Sequence, residues 1–184
     1  MKNSNIKPRL VFIVTVILFG AFMRLIPHWP NFTPIAAMAL FGGAYLGRRF
    51  LAYAIPILAL LLSDMIIGFH DSMLAVYMAF AITVTIGLLI SQKVSAGKVL
   101  LASVSSSVIF FMITNFASWM GNPIYPQNFI GLAEAYVAGL VFFNDGSYGI
   151  SFFMNELLGG LFYNTIFFGA FYFARLRFPV LVRA

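Results

Sequence analysis

The chain has 184 residues, 62% of them hydrophobic and 9% charged, with a formal net charge of +6 and a mean hydropathy of +0.98. Soluble domains carry about 25% charged residues, so this composition excludes an ordinary water-soluble protein and indicates one integral membrane domain. Cysteine is absent, which excludes disulfides, thiolate nucleophiles and thiolate metal sites; the basic residues are divided among loop ends, which excludes a nucleic-acid footprint.

A spanning helix needs about 20 apolar residues, with about 17 to 25 tolerated. The first such run covers residues 10–26 and follows the cluster Lys2/Lys7/Arg9. It starts like a signal peptide, but small residues are not placed as in an A-x-A cleavage site, so it is expected to remain as helix one. Next comes a connection with Pro27, Pro30 and Pro34. Each proline fixes its own φ and biases its predecessor toward extended geometry. Such a stiff loop is suited to hold Arg24, His28, Asn31 and Thr33 over a cavity, although an ordinary turn with an interfacial Trp29 and a snorkelling Arg24 is the alternative.

Helix two, 34–47, is short, with Pro34 suited to its first turn. Ala39, Gly43 and Gly47 form a small-xxx-small ridge for close approach, toward either another helix of this chain or a separate membrane subunit. The basic turn Arg48/Arg49 leads into helix three, 50–68. Asp64 lies inside its far end, where an acid needs a partner or water. It is either a binding residue or half of a structural pair with Arg24. His70 and Asp71 precede helix four, 72–91, and Lys93/Lys98 precede helix five, 99–119. Helix five carries Ser107, Thr114 and Ser118, whose expected role is interhelical hydrogen bonding; Asn115 and Trp119, level with Asp64, are assigned to the site.

Residues 129–143 are apolar but, at about 1.5 Å per residue, too short for a core of about 30 Å. They are expected to form a short outer-face helix or re-entrant segment. Asp145 reads as turn chemistry in Asn144-Asp145-Gly146. Helix six, 151–174, opens with Asn155 and Glu156, and Glu156, Gly160, Tyr163 and Asn164 share one face. Arg175, Arg177 and Arg183 close the chain.

Ten of the eleven Lys and Arg thus fall in four clusters separated by out-and-back spans. Cytoplasmic loops collect Lys and Arg. The expected fold is therefore an all-α six-transmembrane-helix bundle with both termini cytoplasmic and all five acids toward the outside. An acid-lined outer site favours a cationic or zwitterionic small molecule. Acids contribute little to orientation and need not have gathered there.

Chemical motifs are absent. Gly97-Lys98 lacks the first glycine of a phosphate loop, position 92 being Gln92, and no H-E-x-x-H or G-x-S-x-G occurs. His28 and His70 match no metal-ligand spacing. No enzyme activity, metal or cofactor is expected.

The run PHWPNFTPIAAMALFGGAYLGRRFLAYAIPILALLLSDMIIGFH, residues 27–70, resembles an uncharacterised family of small bacterial membrane proteins. That family is in turn similar to the substrate-binding S components of energy-coupling factor (ECF) vitamin transporters. The likeness consists of the proline-bearing loop, the glycine-rich second helix, the basic turn, the Ser-Asp near the end of helix three and the span count. It implies a bacterial inner-membrane protein that captures a vitamin-like molecule from outside, under the loop between helices one and two. It also implies a membrane coupling protein bound to two ATPases, met here by Ala39, Gly43 or Gly47; helix one lacks an A-x-x-x-A. The residues assigned to substrate are Arg24, His28, Asn31, Asp64, Asn115, Trp119 and Glu156. The competing readings are a membrane enzyme using Asp64 or Glu156 with His28 or His70, and a non-catalytic assembly partner.

Because the chain has no cysteine, its topology is open to single-cysteine labelling. On intact cells a membrane-impermeant maleimide is expected to modify the Asp71→Cys variant and to spare Lys98→Cys until the membrane is permeabilised.

Overall fold

A computed structural model describes residues 7–141 and 150–182; Lys2, Asp145 and Arg183 lie outside them. Among the described residues there is no strand. Seven α-helices follow in order: α1 Pro8–Met23, α2 Ile35–Tyr45, α3 Arg49–Ile67, α4 Met73–Ile90, α5 Ala96–Gly121, α6 Phe129–Val141 and α7 Phe152–Arg177, with a 3₁₀ turn at Pro179–Leu181. Four of them, α3, α4, α5 and α7, are long and apolar enough to cross a membrane; α1, α2 and α6 are shorter apolar helices.

The bundle is apolar on its surface as well as in its core. On α3 the outward stripe is Leu58, Leu62 and Ile66, and on α4 it includes Leu74, Met78 and Ile82, all exposed. Their inward faces carry Ser63, Asp64 and Thr83, all buried. Soluble proteins do not expose apolar belts of this extent. The surface is suited to lipid, and the chain is membrane-embedded.

Helix α2 is the axis. Residues 35–44 are all buried, and α1, α3, α4, α5 and α7 pack around them, α4 most extensively. A helix that is apolar on every side belongs in a core. Close approach to α4 rests on two glycines. A Cβ on Gly43 would strike the Val84 carbonyl and stand 2.9 Å from the Gly87 Cα, and one on Gly87 would strike the Leu40 carbonyl. On the α3 side, Gly42 makes room for the ring of Pro56, a helix-interior proline of the kind membrane bundles tolerate.

This placement decides the small-residue ridge. Ala39 is fully buried and Gly43 is enclosed by α4, so both join helices of this chain and offer no surface to a separate subunit. Gly47 is not part of the ridge. It follows the end of α2 with φ +74° and open space around it, the left-handed position that stops a helix.

One end of the bundle gathers Lys7, Arg9, Arg48, Arg49, Lys93 and Lys98 at helix starts and turns. Arg175 and Arg177 join them from the last turn of α7, where cations complement the helix dipole. An aromatic cluster packs near this basic end: Phe41 meets Phe168 at 5.3 Å, and Tyr45 meets Phe171 at 4.3 Å. At the other end α6 leans on α5 and α7.

Gly43→Val is expected to lower stability by about 1–3 kcal/mol or more through overpacking. Gly97→Ala, at a position where a Cβ meets nothing within 4 Å, is expected to be neutral. Midpoints of heat-induced loss of the monodisperse peak in detergent separate the two.

Candidate functional site

The seven assigned site residues fall into separate groups. In the first, Arg24 caps the C-terminal end of α1 and reaches across to α3. Its Nη2 stands 2.8 Å from Asp64 Oδ1, with side chains 8% and 1% exposed. Its Nη1 donates to Ser63 Oγ and, at 3.4 Å, to the Leu60 carbonyl. The Tyr77 hydroxyl on α4 donates to Asp64 Oδ2 at 2.8 Å. Both carboxylate oxygens are therefore engaged, and the charges cancel inside the apolar core. The structural-pair reading of Asp64 describes what is seen. Sequence reasoning misses Ser63 as a partner of Arg24 and Tyr77 as a partner of Asp64; the adjacency of Ser63 to Asp64 is a visible signal, whereas nothing in one dimension links Tyr77 to Asp64.

The second group fastens the α1–α2 connection to α7. Asn155 Nδ2 donates to the Pro30 carbonyl at 3.0 Å, while its Oδ1 accepts from the Ile150 N–H at 3.1 Å. Asn31 Nδ2 reaches the Phe152 carbonyl at 3.5 Å. Asn31 has φ +63°, a left-handed conformation that asparagine tolerates better than most residues. Gly159 lets the loop lie against α7, since a Cβ there would stand 3.0 Å from Phe32 Cα and 3.1 Å from Thr33 N. Phe32 then stacks among Trp29, Phe162 and Tyr163. His28 is on the exposed side, its Nδ1 paired with the Trp29 carbonyl at 2.9 Å.

Glu156 stands one helical position round from Asn155, on the face of α7 that meets α5. It is 3% exposed. Ser107 of α5 lies within hydrogen-bonding reach of its carboxyl and, at 3.5 Å, of its backbone carbonyl. One turn on, Gly160 leaves space that Ser107 and Ser103 fill; a Cβ there would stand 2.9 Å from Ser107 Oγ. The seam continues with Asn164, whose Nδ2 donates to Ser103 Oγ at 3.0 Å. Among the described residues the ion pair is Arg24 with Asp64, and Glu156 has no cationic partner.

Asn115 and Trp119 serve another contact. Asn115 Nδ2 donates to the Phe111 carbonyl at 2.9 Å, and its side chain packs on Gly139 of α6. Trp119 Nε1 donates to the Pro126 carbonyl at 3.0 Å, and Gln127 returns a bond to the Trp119 carbonyl. These residues hold α6 and its preceding turn to α5; their contacts do not involve Asp64 or Glu156.

The geometry thus holds two buried acids in opposite conditions. Asp64 is consumed by its neighbours. Glu156 has the Ser107 hydroxyl beside it, adjoins the residue that latches the loop, and has no cationic partner among the described residues. Neither histidine touches either acid; His70 pairs with Ser72. No cluster of three His, Asp or Glu exists among the described residues.

The model of a family described as "Family of unknown function (DUF6580)" matches residues 4–181. No curated protein and no solved structure matches the chain.

Breaking the buried pair on one side is expected to be costly. Asp64→Asn should destabilise by about 3–5 kcal/mol, and the double variant Arg24→Met/Asp64→Leu should recover most of that loss. Thermal midpoints of the single and double variants complete the cycle.

Proposed function

This chain belongs to the DUF6580 family, whose function is unknown, and from the geometry of this member we propose that it is a membrane-embedded substrate-capture subunit. In this reading a small water-soluble molecule with a cationic group enters from the outer side of a bacterial inner membrane, binds at Glu156, and is passed inward with the help of partner ATPases. The chain crosses six times, with the basic end cytoplasmic and α6 a short outer-face helix, because basic clusters mark the cytoplasmic side.

One observation carries the reading. Glu156 is buried, has no cationic partner among the described residues, and adjoins the residue that latches the α1–α2 loop. An ionisable group at membrane depth is costly to keep without a partner and marks a substrate or ion path. Opening the Asn155–Pro30 latch frees the loop immediately beside the acid, so capture and closure involve adjacent residues. Phe32, Phe162 and Tyr163 supply aromatic faces nearby, which suit a cation.

The ligand preference narrows accordingly. Asp64 is neutralised by Arg24, and Asp71 and Glu134 are exposed, which leaves Glu156, among the described residues, as the acid suited to select charge. The separation of His28 and His70 from both acids favours binding over acid–base catalysis. A coupling protein would have to meet other surfaces than Ala39 and Gly43; Gly47 is exposed at the basic end.

The test is mass spectrometry of small molecules released on denaturing the detergent-purified protein beside a Glu156→Gln variant. A stoichiometric cationic or zwitterionic compound, present in the parent and lost in the variant, is the expected result. A parent protein that is empty when purified from cells grown in rich medium would overturn tight capture and favour an assembly role.

A further inference from the structure

A cleft of about 520 Å³ lies between α5 and α7 toward the basic end, and the capture reading does not use it. Its walls include Leu100, Leu161 and Phe168. Leu100 and Tyr172 line it and are themselves 56% and 47% exposed, so the cleft opens sideways onto the lipid-facing surface. An occupant reaches it from the bilayer.

The two ends of the cleft differ chemically. At the mouth stands Arg175, 5.0 Å from the Tyr172 ring and with no carboxylate partner among the described residues. Ser95, which caps the start of α5, lines the same mouth. The N-terminal end of a helix and a guanidinium both favour an anion. At depth stands Asn164, 2% exposed. Its Nδ2 is taken by Ser103, and its Oδ1 has no hydrogen-bond partner. Positions 164 and 175 stand about 16 Å apart along the helix axis, at about 1.5 Å per residue.

We propose that this cleft binds an amphipathic anion drawn from the bilayer. The acidic head sits at Arg175 and the start of α5, the chain runs along Leu100, Leu161 and Phe168, and a hydroxyl or amide N–H on that chain donates to Asn164 Oδ1. A plain hydrocarbon chain fills the walls equally well but leaves the Asn164 acceptor unpaired, a penalty that a hydroxylated chain avoids. The matching ligand class is a fatty-acid-like anion carrying a hydrogen-bond donor far from its head.

Calorimetric titration of the detergent-purified full chain with ω-hydroxydodecanoate and with dodecanoate tests this. The hydroxy acid is expected to bind about tenfold more tightly than the plain acid. Arg175→Gln should weaken both by about tenfold, a loss of one charged contact, and Asn164→Leu should abolish the preference. Gly169 lines the cleft and has nothing within 4 Å of a Cβ position, so Gly169→Leu should fold normally and block both acids. Equal affinities for the two acids in the parent protein would overturn the proposal, as would binding indifferent to both Arg175→Gln and Gly169→Leu. Glu156→Gln should leave the titration unchanged. A loss of binding in that variant would move the ligand out of this cleft, whereas failure of the capture reading leaves the proposal standing.

Discussion

Backbone contact between α2 and α4 sets the rest of the architecture. At Gly43 and Gly87 each helix presses on the other's main chain, and no side chain larger than hydrogen fits between them. Within a membrane, helices gain little from hiding apolar surface from one another, because lipid is equally apolar; close packing takes over that role. A short helix of small residues and large apolar ones is therefore surrounded on all sides, and α1, α3, α4, α5 and α7 take up positions around it. The rotation of α4 about that contact turns Thr83 inward and Met78 and Ile82 outward. It also presents Tyr77 to Asp64.

Two acids lie inside this apolar frame, and their surroundings divide the molecule. Asp64 receives a guanidinium, and a phenol donates to it. Its charge is spent on joining α1, α3 and α4. Glu156 receives a hydroxyl contact from Ser107 of α5 and lies beside the loop fastened by Asn155. An ion pair in low dielectric is a structural commitment, since removing either half strands the other. An acid left with neutral donors retains its capacity for a charged ligand, and the capture reading rests on this contrast. The seam from Glu156 through Ser107 and Ser103 to Asn164 gives α5 and α7 a polar interface where the other helix contacts are mostly apolar.

The residues differ in how far they were legible in one dimension. Asp64 is legible because a lone acid in an apolar run requires a partner and Arg24 is a candidate in the sequence; the hydrogen bond from Tyr77 has no signature there. Gly47 looked like a member of the Ala39/Gly43 ridge because i, i+4 spacing assumes that the helix continues, but the left-handed turn at Gly47 ends it. Counting along helix five puts Asn115 and Trp119 level with Asp64. Depth along a helix says nothing about which way a side chain faces, and both turn toward α6 and its preceding turn. In the sequence Asn155 is only the neighbour of Glu156, and its role as a latch depends on the Pro30 carbonyl, far away along the chain.

The sequence by itself determined that this is a helical membrane protein, where its apolar runs lie, and that its basic residues mark one end. Those properties depend on local composition and on the length of each run against the thickness of a bilayer. Only the tertiary structure decided that Arg24 belongs to Asp64, that Asn155 holds the α1–α2 loop, that Ala39 and Gly43 are interior, and that Glu156 has no cationic partner among the described residues. Partnership among side chains depends on how each helix is rotated about its own axis. That rotation is set by backbone contact at Gly43 and Gly87, a property of two helices packed together that neither segment contains alone.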